Sequence, residues 1–264
     1  MPHSYLIEEG PDGSRTVWMG EHDPMQRLKG MVGICLYPGK ALIETRVRIY
    51  NRTPYPQTFL WWENAAVHTN DQYQVFFPPD VDHVTFHSRQ DMAGYPIARS
   101  VYCGLDYTRG VDISWYKNSP HATSFFAGES KCDFFGGYDH GRDAGVIHVA
   151  NHHISPGKKL FTWGSSELAR AWENRLTDAD GPYIELMAGV YTDNQPDFSW
   201  LQPYETRTFS QFWYPIQKIG AAKSANLRLA VNLECGEGRA KVAAYATEAL
   251  PGVVVSLQAG ERTL

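Results

Sequence analysis

YIELMAGVYTDNQPDF, residues 183–198, decides how this chain is read. Period-two alternation puts Tyr183, Glu185, Met187 and Tyr191 on one face of a strand, and Ile184, Leu186, Ala188 and Val190 on the other. The second face is pure core. The first sets a carboxylate among aromatics, and a buried carboxylate without a partner is costly. Glu185 must therefore be paired, hydrogen-bonded or exposed in a cavity. An ion pair with an arginine is the structural solution; the floor of a sugar cleft is the functional one.

The flanking sequence is also strand-rich. In residues 43–49, Ile43, Thr45, Val47 and Ile49 alternate with Glu44, Arg46 and Arg48, the pattern of a half-buried antiparallel strand, and Pro38-Gly39 turns the chain before it. Short β-rich runs recur at 57–68, 73–88, 111–118, 122–128, 133–139, 144–153, 158–164 and 207–216. Only SSELARAWENRL, 165–176, predicts a helix, with Ser165 or Ser166 as N-cap and Leu168, Ala171, Trp172 and Leu176 at helical spacing. A parallel α/β sheet would need a helix between most strands, so the chain is expected to be all-β, a large antiparallel sandwich. After Lys218 the texture turns small and aromatic-poor. Residues 1–221 are read as the sandwich and 222–264 as the opening strands of a smaller β module.

Of the 264 residues 43% are hydrophobic, enough for a sizeable core. A net charge of only −5, with no basic run among aromatics, argues against nucleic acid as a partner. No run approaches 18 apolar residues, which argues against a membrane span; the expected location is the cytoplasm. The 8 Trp and 15 Tyr suit either an aromatic β core or stacking on the C–H faces of sugar rings. Cys35, Cys103, Cys132 and Cys235 form no C-x-x-C pair, so neither a zinc knuckle nor a redox motif is expected. SPGKKLF, 155–161, lacks the glycine framework of a phosphate loop.

A second carboxylate lies in an apolar run, FLWWENAAVH. Phe59, Trp61, Glu63, Ala65 and Val67 share one face; Leu60, Trp62, Asn64 and His68 share the other. Glu63 and Glu185 could act as the acid and base of glycoside hydrolysis, with burial beside Trp61 keeping one protonated. Alternatively, Glu63 is a hydrogen-bonding strut. A third cluster gathers Asp139, His140, Arg142, Asp143, His148, His152 and His153, but its spacing matches no metal-ligand motif, and neither metal nor cofactor is expected.

Residues 183–216 resemble the last catalytic segment of the galactose mutarotase (aldose 1-epimerase) superfamily. Ile184-Glu185-Leu186-Met187 stands for its L-E-T-Q strand, Asn194-Gln195-Pro196 for its N-Q-P loop, and Pro203-Tyr204-Glu205 for its P-G-E turn. The resemblance implies a β-supersandwich and makes Glu185 the general base. Residues 51–78 occupy the place of the strand that holds the superfamily's catalytic-acid histidine. Here Glu63, Asn64 or His68 falls at that site, a departure that would suit hydrolysis. The run 8–218 is similar to a family of bacterial mutarotase-like domains that precede tetratricopeptide repeats, usually after a further N-terminal β segment. Lacking that segment, the chain is expected to be a fragment or a shortened relative. A carbohydrate ligand follows, with Trp61, Trp62, Asn64, His68, His140, Arg142, Tyr191 and Asn194 as cleft contacts. Two-carboxylate hydrolysis by Glu185 and Glu63 is the first reading. Mutarotation by Glu185 and an imidazole of His68, His140 or His148 is the second, and a non-catalytic carbohydrate-binding or scaffold domain the third. Open edge strands would further favour a homo-oligomer or docking against the missing domains of a longer chain.

Overall fold

The computed structural model describes residues 4–88, 90–178, 180–194, 197–260, 262 and 263. Two antiparallel sheets face each other. The larger has eight strands: β1 (Ser4–Glu9), β2 (Arg15–His22), β3 (Leu28–Leu36), β4 (Ile43–Asn51), β6 (Tyr73–Phe76), β10 (Phe134–Asp139), β11 (Ala144–Val149) and β14 (Thr206–Gln217). They run in the order β1-β2-β3-β4-β14-β11-β10-β6. The smaller holds β5 (Trp61–His68), β7 (His83–Thr85), β8 (Met92–Gly94), β9 (Thr123–Ala127), β12 (Gly157–Thr162) and β13 (Tyr183–Val190), in the order β5-β13-β12-β9-β7-β8. This is the large antiparallel sandwich that the alternating runs predict, in the supersandwich form that the resemblance implies.

Alternation decides what each sheet buries. On β4, Thr45, Val47 and Ile49 turn inward, and the Pro38-Gly39 turn before it uses Gly39 at φ 72. On β13, Ile184, Leu186 and Ala188 join Phe125, Leu160, Phe135 and Val84 in the main core between the sheets. Val190 joins Leu28, Val47, Phe59 and Phe209 at one end of it. The outer face of the large sheet has a core of its own, where Tyr138, Ile147, Tyr214 and Ile216 meet Ile219 and Ala230. Ala230 belongs to a three-stranded sheet of β15 (Ser224–Ala225), β16 (Leu229–Gly236) and β17 (Arg239–Ala246). The small C-terminal sheet thus covers the back of the sandwich.

Two local expectations are corrected. The run 111–118 has only Val111–Asp112 as strand before a 3-10 turn at Tyr116–Asn118. The helix, α1 (Glu167–Leu176), does form, and the Ser166 hydroxyl accepts the Ala169 N–H as N-cap. Its buried side chains are Ala169 and Glu173, whereas Leu168, Trp172 and Leu176 are 72%, 51% and 54% exposed. The apolar stripe therefore faces away from the core, beside the stacked ring of Trp163.

Candidate functional site

The strand register fixes which side chains share Glu185's face. Across the sheet, Ala66, Glu185, Phe161 and Ser124 stand in one row. The next row is Asn64, Met187, Lys159, Phe126 and Thr85. His68 pairs with Tyr183 on one side of these rows, and Trp62 with Gly189 on the other. All of these point away from the sandwich core. Trp62 packs edge-on against Phe126, over Gly157 and Gly189, where a Cβ would come within 3 Å of its ring. Those glycines make room for the indole. Ala66, being small, leaves the space beside Glu185 open.

That space is a cleft of about 770 Å³. Asn64, Ala66, His68, Tyr183 and Glu185 line it from the sheet, and Leu176, Thr177, Asp180 and Pro182 from the end of α1 and the loop after it. The size falls in the usual range for a small-molecule site, about 300–1,000 Å³. Among the described residues the Glu185 carboxylate makes no hydrogen bond and no ion pair, which removes the arginine partner of the structural solution. Burial raises its pKa above the ordinary glutamate value, and the charge of Lys159 partly opposes this. Lys159 is itself pulled down to about 8 by burial, with Glu185 acting the other way.

His87 completes the face. Its Nδ1 lies 3.2 Å from the Ser124 hydroxyl, and both burial and the Lys159 charge lower its pKa. Asn194 braces this segment from below. It is buried, and its Nδ2 donates to Thr85 Oγ1 at 3.4 Å and to the Phe86 carbonyl at 3.5 Å. Gln195 and Pro196 of the same loop motif lie outside the described residues.

The remaining expected contacts are dispersed. Glu63 pairs with Ala188, so it points into the sandwich, on the opposite face of the sheet from Glu185. There it accepts the Thr45 hydroxyl proton, and burial raises its pKa. The strut reading holds and the acid–base pair does not. The reason is register: Glu185 stands opposite Ala66, an odd number of residues from Glu63. Trp61 also faces inward, donating to Gln211 at 3.0 Å and packing on Phe209. Tyr191 leaves the strand at φ 58, which turns its ring onto Phe59 and Phe209 and toward a second cleft with His152 and His153. His140 bonds Gln74 and packs on Trp115, and Arg142 pairs with Asp139 at 3.7 Å beside a different cleft. His148 is buried between Phe135 and Trp213, its pKa driven down to about 3 by desolvation. Of the expected residues, Glu185, Asn64 and His68 line one cleft, and Trp62 shares their face.

Lys159 and His87 were missed by sequence reasoning. The signal for Lys159 was present in GKKLFT: strand alternation sends Lys158 inward and Lys159 outward, so the pair is not a loop feature. His87 lies just beyond a three-residue strand and carried no comparable pattern.

The described residues include no helix long and apolar enough to cross a membrane. A family model described as a domain of unknown function (DUF5107) matches residues 1–216, and one described as the second domain of a YphG-like protein matches 224–264. Among solved structures, a TPR-domain containing protein from Parabacteroides distasonis is 22% identical, with a TM-score of 0.67 over 81% of this chain and 34% of that one. A candidate aldose 1-epimerase from Klebsiella pneumoniae is 11% identical, with a TM-score of 0.57 over 81% of this chain and 53% of that one. A galactose mutarotase-like protein from Clostridium acetobutylicum is 12% identical, with a TM-score of 0.50 over 81% and 66%. This chain thus spans less than two thirds of the Parabacteroides and Klebsiella proteins. The shared architecture is the galactose mutarotase-like sandwich. Because the DUF5107 match covers most of its length, the chain belongs to that family of domains of unknown function, folded as a mutarotase-like sandwich.

Proposed function

We propose that the cleft over β5 and β13 binds a reducing sugar and that Glu185 is the base for interconverting its anomers. The observation that carries this is the half-buried Glu185 carboxylate, without hydrogen bond or ion pair among the described residues, at the floor of a sugar-sized cleft. A strand position that costs stability and satisfies nothing internally is where a ligand is expected to supply the missing partner. Asn64 and His68 offer amide and imidazole groups to sugar hydroxyls, and Tyr183 offers a ring to the C–H face. Two-carboxylate hydrolysis loses ground because Glu63 is turned into the sandwich. Opening a hemiacetal needs one base and one proton donor and no water nucleophile, which suits a single free carboxylate better.

The test is exchange between α and β anomers, followed by polarimetry or NMR, for D-glucose, D-galactose and their 6-phosphates. The wild type should accelerate exchange of at least one sugar, and Glu185→Gln should lose about 100-fold or more while still binding it. Wild-type protein that binds these sugars without accelerating any of them would overturn the catalytic reading in favour of a binding domain.

A further inference from the structure

The large sheet is wider than the layer that covers it. Glu63 on β5 accepts the Thr45 hydroxyl proton from β4, so β5, the end strand of the small sheet, lies over β4. Among the described residues no strand of the small sheet lies beyond β5, while the large sheet runs on through β3, β2 and β1. The strand register carries the core face across that overhang. The row through Val47 continues as Val32, Met19 and Tyr5, and the row through Thr45 as Ile34, Val17 and Ile7. The row through Ile43 continues as Leu36, Arg15 and Glu9. The face that buries Val47 and Thr45 in the sandwich is therefore apolar where no second layer meets it. Tyr5, Ile7, Val17, Met19, Ile34 and Leu36 are each between 36% and 78% exposed.

The reverse face of these strands is made for solvent. There Trp18 lies over Gly33 and donates to Glu8 at 2.7 Å, and Arg46 pairs with Glu44 at 2.8 Å. The bare apolar face is also separate from the Glu185 cleft, which lies on the outer side of the small sheet.

We propose that the β1–β3 overhang docks against a second copy of this chain, the two apolar faces packing together around a two-fold axis. Three observations select this occupant. The six side chains expose roughly 700 Å², close to the about 800 Å² that each partner buries in an interface of standard size, and more than the largest apolar patch of most monomers. Charges stand at the border of the patch and not within it. Arg15 pairs with Glu9 at 3.1 Å at one end, and Glu21 marks the other, the polar rim of an interface. The third observation is the step at β5. A sheet laid on β1–β3 continues the layer that β5 ends, at the spacing of about 10 Å between facing sheets. A two-fold axis gives each copy the other's overhang for that layer.

Pairing of open edges is the competing contact. All six residues of β1 are exposed, and joining two β1 edges would extend the sheet without covering either face. The two arrangements differ at β2, which is paired on both sides by β1 and β3. Val17 on β2 therefore matters to face packing and not to edge pairing.

The experiment is sedimentation equilibrium of the 264-residue chain from about 1 to 200 μM, a range that spans dimers of micromolar affinity. The wild type should be dimeric at the upper end. Val17→Lys, checked for native near-UV circular dichroism, should raise the dimer Kd about 100-fold or more, because docking would bury an unpaired ammonium. Leu6→Lys, on the reverse face of the edge strand, should leave the dimer unchanged. Isotope-filtered NMR of mixed labelled and unlabelled wild type gives a readout that needs no variant: the Val17 and Ile34 methyl groups should show NOEs between copies. A wild type that stays monomeric throughout would overturn the proposal and leave the face to a different partner. A dimer that folded Val17→Lys leaves intact, or one without NOEs between copies at Val17 and Ile34, would overturn it too. Dissociation by Leu6→Lys alone would assign the contact to the β1 edge.

Discussion

Replacing Glu63 by glutamine takes away a carboxyl group that the sandwich interior cannot solvate. Glu63 accepts a hydrogen bond from Thr45, its Oε2 is buried with no hydrogen-bond partner among the described residues, and desolvation raises its pKa against the opposing pull of Thr45 and Trp213. In the unfolded chain the same group ionises at its ordinary value of 4.5. Below that pH both states hold the proton and the group is neutral in each. As pH rises past it, the unfolded chain releases its proton first, so the folded state binds more protons and loses stability. The loss is about 1.4 kcal/mol for every unit by which the folded value is raised, complete once the pH passes that value. Glutamine keeps an acceptor for Thr45 and has no such slope. At pH 4 the variant should therefore match wild type within about 1 kcal/mol, and by pH 8 it should be the more stable protein. Urea unfolding of both at half-unit intervals measures the difference, in which every other carboxylate cancels. A difference that stays constant with pH, or one in which wild type gains as pH rises, would refute the inward, uncharged Glu63 and return it to the list of ionised cleft residues.

Other positions test the fold around the site. Tyr204 holds φ 59 in the turn where the mutarotase pattern has glycine, and its side chain is 60% exposed. Tyr204→Gly should raise the unfolding free energy by about 0.5–1 kcal/mol by relieving left-handed strain, read from the urea midpoint. Trp172 lies on the solvent side of α1, so Trp172→Ala should cost less than about 0.5 kcal/mol in thermal unfolding. A loss of several kcal/mol would mean that its stripe is core after all.

Alternation within each strand was legible and correct. It divided Glu185 from Leu186, and Glu63 from Asn64, as the structure does. What alternation cannot supply is which of two faces meets the core when strands distant in sequence pair. Glu63 and Glu185 lie more than a hundred residues apart, and the Glu185–Ala66 register sends their carboxylates in opposite directions. The reading of Tyr191 failed for a local reason, since a positive φ ends the period-two rule at that residue. α1 misled because a rim helix can bury its small residues and present its large ones. Ala169 packs inward here, and Leu176 reaches the cleft. Lys159 lay in a run already read as a strand, 158–164, but which of its two successive lysines shares Glu185's face depends on the pairing with the 183–190 strand.

The central claim is that Glu185 is left unsatisfied by the fold because a sugar completes it. The most direct measurement takes Glu185→Gln beside wild type and records anomer exchange and urea stability on the same samples. Removing a half-buried carboxylate that has no pairing partner among the described residues should cut exchange about 100-fold or more while leaving the unfolding midpoint unchanged or higher. Unchanged exchange together with a loss of several kcal/mol in stability would instead make Glu185 a structural residue and contradict the account.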